Sequence, residues 1–173
     1  MPSRYRANCS RRVALSFLLG QSGSVSRSVS APLPYPALHA SHAGIWIATA
    51  NGETRRVSRG DAIALAAETP VILLNAPLVA ARLGYGDLSG LDLLELFAFL
   101  HPARFMVPTV KGLARITGLD MPRDESGAAH MLKQAAQVLL ETAQGEWPER
   151  EGAWTCAQAV SYTHLTLPTK SIV

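Results

Sequence analysis

The chain is poor in cysteine, in charged residues and in long apolar runs. Its two cysteines, Cys9 and Cys156, are too few for a disulfide scaffold and lack the paired spacing of a zinc site. A reducing compartment, the cytoplasm, is therefore the expectation. No apolar run approaches the roughly 20 residues that cross a bilayer, so no membrane partner is expected. Acids are missing from the whole leading part: residues 1–30 carry five Arg and no Asp or Glu, and residues 31–52 carry no acid either.

The charge that is present is unevenly placed. A formal net charge of +3 points at first sight to a nucleic-acid partner. Five of the basic residues lie in 1–30 and one more, Lys170, in the tail, so residues 31–159 keep ten basic against thirteen acidic residues, a net of −3. The body is mildly acidic as a whole and carries no overall electrostatic footprint for DNA. With 48% apolar and 17% charged residues in a chain of 173, the composition is that of one globular domain with its own core.

The two ends differ from the body. Residues 1–30 are rich in Arg and Ser and read as a disordered or spurious N-terminal extension, or as a targeting segment. In the targeting reading the Arg cluster precedes a short apolar stretch, Val13 to Leu19. Residues 160–173 read as a non-native tail. Val160 to Thr169 (VSYTHLTLPT) do not continue the preceding helical pattern, and they resemble one translated frame of a transposase-type sequencing adapter.

Between them, the pattern predicts an α/β fold with a small mixed sheet and flanking helices over 31–145, followed by a linker or the start of a next helix over 146–159. Ala31 to Ser41 is Pro-rich and reads as an extended lead-in, since Pro34 and Pro36 forbid a helix. Gly44 to Thr49 is a continuous apolar run, expected as a strand buried on both faces. Asn51-Gly52 marks a hairpin turn, and Thr54 to Val57 is the returning strand. Ser58, with Asp61 three residues on, caps a helix that runs to about Glu68. Pro70 ends that helix, and Val71 to Leu74 is a further strand. Asn75 caps a short helix stopped at Gly84. Leu91 to Leu100, Val110 to Thr117 and about 124–143 complete the helices, the last of them long and amphipathic. A polar loop is expected from Trp147-Pro148, with another helix starting over Trp154 to Ala159.

The stretch VILLNAPLVAARLGYGDLSGLDLLELFAFLHPARFMVPTVKGLARITGL (Val71 to Leu119) resembles the middle of a DnaQ-like 3′–5′ exonuclease domain. That family places an Asp-x-Glu pair on its first strand. A His-Asn-x-x-x-Asp motif follows a middle strand, and a His-x-x-x-x-Asp motif lies on the last helix. Their carboxylates hold two divalent metals, a task apolar side chains cannot take over. Here the second motif falls on Leu74-Asn75-Ala76-Pro77-Leu78-Val79. Asn75 keeps its family type, whereas Leu74 stands for the His and Val79 for the Asp. The first-strand pair is absent. His130 lies on the last helix with Ala135, not Asp, five residues later. Asp92-Leu93-Leu94-Glu95-Leu96 resembles the family's helix start, where Asp92 serves as a helix cap. Asn75 reads as a cap rather than a ligand, His101 as a helix-end residue, and His39 with His42 as a pair with no third metal ligand near. The resemblance thus implies a degenerate, ribonuclease H-like exonuclease type with no catalytic, cofactor or metal residues.

A second likeness spans about 33–159. PYPALHASHAGIWIA, the run from Val57 to Ala114 and WPEREGAWT resemble the N-terminal region of alphaproteobacterial DinG-like ATP-dependent DNA helicases. In that family the motor lies downstream and uses ATP and magnesium. This chain contains no G-x-x-x-x-G-K-[ST] loop to cradle a triphosphate, so those cofactors belong to the parent by resemblance. The implied partners are the motor domain of the same parent chain and DNA. A scaffold or protein-interaction domain with no nucleic-acid role is the alternative, and an exported small α/β protein a third reading that rests only on Val13 to Leu19.

Overall fold

The computed structural model describes residues 33–165, with side chains as far as residue 158. The expected extension over 1–30, and the tail beyond 165, lie outside the described residues. Five short strands form one mixed sheet: β1 (Ala37–Ala40), β2 (Ile45–Ala48), β3 (Thr54–Val57), β4 (Val71–Leu73) and β5 (Gly90–Asp92). Six helices flank it: α1 (Arg59–Glu68), α2 (Ala76–Leu83), α3 (Leu93–Leu100), α4 (Val110–Thr117), α5 (Glu125–Gln144) and α6 (Arg150–Leu165). The chain is an α/β protein, as the alternation of apolar runs and helical periodicity predicts.

The sheet order is β3-β2-β1-β4-β5, with β1 in the centre. β1 runs antiparallel to β2, opposing Leu38 to Ile47, and parallel to β4, where Ala37 faces Ile72. The Pro-rich lead-in therefore contains the central strand. Proline demotes a strand because it removes a ladder donor, but Pro34 and Pro36 fall just outside Ala37–Ala40. Pro36 still contributes its carbonyl, which accepts from the Ile72 N–H at 2.8 Å. β5 was also hidden, inside the run expected to be helical from Leu91. A strand of three residues within continuous apolar sequence has no period of its own. Gly90 is what lets β5 approach β4: a Cβ there would sit 2.0 Å from the Val71 carbonyl oxygen.

Alternation along the strands sends side chains to two cores. Ala37, Ile72 and Leu91 face α3, α4 and α5 in one cluster. Leu38, Ile47, Val71 and Leu73 face α1 and α2 in the other. The result is a three-layer sandwich with helices on both sides of the sheet. Gly44 to Thr49 is less buried than expected. Ile45 and Trp46 are only half-buried, next to the edge strand β3. The Arg56 guanidinium lies 5.5 Å from the Trp46 ring centroid.

The helix ends follow the predicted caps. The Ser58 hydroxyl accepts from the Asp61 N–H at 3.1 Å and donates to the Asp61 carboxylate at 2.7 Å. Asn75, in the left-handed region at φ 64°, accepts from the Leu78 N–H. Thr109 and Asp124 cap α4 and α5 in the same way. The last helix departs from the sequence reading. It starts at Arg150 rather than Trp154 and continues to Leu165, past residue 160, where the helical pattern was expected to stop.

α5 covers the sheet and carries the one buried lysine among the described residues. Lys133 is 8% exposed, and its ammonium donates to the carbonyls of Leu33 (3.1 Å), Thr49 (2.7 Å) and Ala50 (2.7 Å). It thereby ties the segment ahead of β1 to the β2–β3 hairpin. Burial holds its pKa below the usual lysine value, and three carbonyl dipoles in place of water keep the charge tolerable.

Candidate functional site

The parallel strands β1 and β4 end side by side, and the chain leaves β4 through Leu74 and Asn75 into α2. A cavity of about 180 Å³ opens at this edge, bounded by Leu38 and His39 of β1, Leu74 after β4, and Val79 and Arg82 of α2. Its far wall is Pro108, Thr109 and Val110, where the chain enters α4. Of the positions singled out in sequence, Leu74 and Val79 meet in this wall and are buried. Asn75 sits between them as a helix cap. His130 is not brought to the cavity. It is exposed on α5 near the hairpin turn, its ring 3.8 Å from where a Cβ on Gly52 would lie.

Asp92 lies behind the junction and is only 2% exposed. One carboxylate oxygen accepts from the Asn75 N–H and the Leu94 N–H, each at 2.9 Å. The other accepts from the Ala76 N–H at 2.6 Å. A single carboxylate thus serves the N-termini of α2 and α3 together, where orphan N–H groups and the helix dipoles favour negative charge.

Sequence reasoning passed over one pairing. His39 Nε2 and Glu125 Oε2 lie 2.7 Å apart, joining β1 to the first turn of α5. The partners are 86 residues apart, so no local pattern announces them. His42, three residues after His39, is exposed in the β1–β2 turn and joins no such site.

This arrangement does not fit a divalent cation. The cavity lining contains no carboxylate. Both oxygens of Asp92 are engaged by backbone donors, and Glu125 is engaged by His39. Arg82 brings a guanidinium to the same wall, where it donates to the Ala40 carbonyl, and a hard cation needs oxygen ligands rather than a neighbouring positive charge. Among the described residues, no three His, Cys, Asp or Glu side chains gather as a metal set. No helix of the described residues is long and apolar enough to cross a membrane. Comparison with protein-family models, with curated proteins and with solved structures finds no match.

His101 closes α3 at its C-terminus, its ring 5.0 Å from that of Phe97. Burial, and then the positive charge of Arg104, lower its pKa, against a smaller opposing pull from Glu149.

Two outcomes follow for these side chains. Charge-assisted hydrogen bonds contribute about 1.5–3 kcal/mol each, so Asp92→Ala is expected to lower unfolding stability by about 3–5 kcal/mol in urea titration, allowing for non-additivity; a loss near zero would contradict the clamp. For His101, the unfolded chain protonates first, near the ordinary value of about 6.5. Its contribution to stability is therefore complete above that pH and is lost as pH falls through the lower folded value. An NMR titration of the His101 ring should give a midpoint below the ordinary histidine value of about 6.5; a midpoint at or above it would contradict the burial effect.

Proposed function

We propose that residues 31–145 form a catalytically inert accessory domain of the degenerate exonuclease, ribonuclease H-like type. In this reading it is the N-terminal part of an ATP-dependent DNA helicase whose motor follows in the parent chain. One observation carries the reading. β1 and the β4–α2 junction meet at one cleft edge, where the second-motif positions hold Leu74 and Val79, while His130, the third-motif position, lies away from it near Gly52. Framework without carboxylates supports a module that positions DNA or packs on the motor, not one that cuts. ATP and magnesium would then be handled by the motor alone. A cytoplasmic location goes with this reading.

The alternative, a protein-interaction domain with no nucleic-acid role, has its own support in the apolar side chains left exposed beside the cleft (Leu78, Phe105 and Val107). The purified chain with Mg²⁺ or Mn²⁺ and 5′-labelled single-stranded DNA is expected to show no trimming on a denaturing gel. Metal-dependent shortening, lost in EDTA, would overturn the inert reading. Binding of the same DNA that weakens steeply with salt favours the DNA-positioning role, and no binding favours the protein-interaction role.

A further inference from the structure

The loop between α3 and α4 presents large apolar side chains to solvent. Phe105 is 84% exposed and Val107 51%, while Met106 between them is buried in the core. The loop is held rather than loose. Its chain turns through a hydrogen bond from the Arg104 N–H to the His101 carbonyl at 3.0 Å, and another from the Thr109 N–H to the Val107 carbonyl at 2.7 Å. Gly112 packs directly beneath it, since a Cβ there would lie 2.2 Å from the Val107 oxygen. The next residues, Pro108 to Val110, are the far wall of the cavity, and the half-exposed Leu78 stands on the near wall.

The stretch from the α3–α4 loop through α4 is basic in sequence, with Glu149 close enough to act on His101 at its start. From residue 96 to 119 there is no Asp or Glu, while Arg104, Lys111 and Arg115 are all present and exposed. Lys111 and Arg115 are four apart on α4, so they share one helix face. Neither the His39–Glu125 contact nor the Arg150–Glu146 ion pair uses any of the three.

We propose that this loop, the basic face of α4 and the cavity form a docking surface for an acidic peptide segment that inserts one large apolar side chain. The cavity, at about 180 Å³, falls short of the roughly 300–1,000 Å³ of small-molecule sites and suits a single Leu- or Phe-sized anchor. Its walls are mainly aliphatic. Of the large exposed apolar residues (Leu78, Phe105, Val107 and Met121) only Phe105 is aromatic. A nucleic-acid strand would call for successive aromatic platforms, whereas a peptide anchor needs an apolar pocket with a charged rim. Because the loop is already fixed by Met106 and Gly112, little ordering opposes binding. Acidic residues flanking the anchor would meet Arg104, Lys111 and Arg115, which sets the sign of the partner.

The inference goes beyond the nuclease-like reading and fails separately from it, since its assay involves neither metal nor DNA cleavage. Random 12-residue peptides displayed on phage are selected on the full chain, and the enriched peptide is synthesised with a fluorescent label. Enriched peptides should carry Asp and Glu around a Leu, Phe or Trp. Fluorescence anisotropy should show at least about tenfold weaker binding to Phe105→Ser and to Lys111→Glu/Arg115→Glu, whose sites are exposed. Unchanged thermal unfolding of both variants makes that loss specific. No enrichment, enrichment of basic peptides, equal binding by the variants, or displacement of the peptide by oligo(dT) would each overturn the proposal.

Discussion

The buried carboxylate of Asp92 is the constraint on which the rest of the fold depends. It ends β5, starts α3 and holds the first N–H groups of α2. The β4–α2 and β5–α3 turns are thereby fixed relative to each other, on the side of the sheet where the cavity opens. A charge this deeply buried is costly unless every lone pair meets a donor, and here three backbone donors and two helix N-termini supply that environment. Asn75 can hold its left-handed conformation because its own N–H is anchored to the same group. A residue that resembles a catalytic-family landmark in sequence therefore acts as a structural brace.

The cleft that this brace defines is chemically the reverse of a two-metal site. Its walls are mainly aliphatic and include Arg82, and His39 in the lining is hydrogen-bonded to Glu125. Such a surface suits apolar burial with a positive rim. That is why the inert-module reading and the peptide-docking proposal agree on the physics of the cleft while differing over what occupies its neighbourhood. Lys133 makes a related point on the opposite end of the sheet: its charge is spent on three backbone carbonyls, leaving none for a ligand.

Much of this was legible in sequence where the signal is local. Ser58, Asn75 and Gly84 mark helix ends because capping needs only neighbouring residues. The period of α5 is plain because twenty residues repeat one apolar face. β1 and β5 were missed for opposite reasons: one is hidden by flanking prolines, the other inside an apolar run that suits a helix equally well. Leu74 and Val79 were singled out in sequence, and both line the cavity. The His39–Glu125 pair, the engagement of Asp92 with α2, and the exposure of Phe105 depend on long-range packing that no spacing encodes. The regional charge between 96 and 119 was present in sequence, but the net charge of the whole body concealed it.

The cleft, with no carboxylate in its lining, does not fit a divalent cation. Titrating Mn²⁺ into the ¹⁵N-labelled chain and following paramagnetic broadening tests this most directly. No localised loss of signal at His39, Leu74, Asn75 or Val79 is expected at low metal concentrations. Selective broadening of these amides, reversed by EDTA, would contradict it.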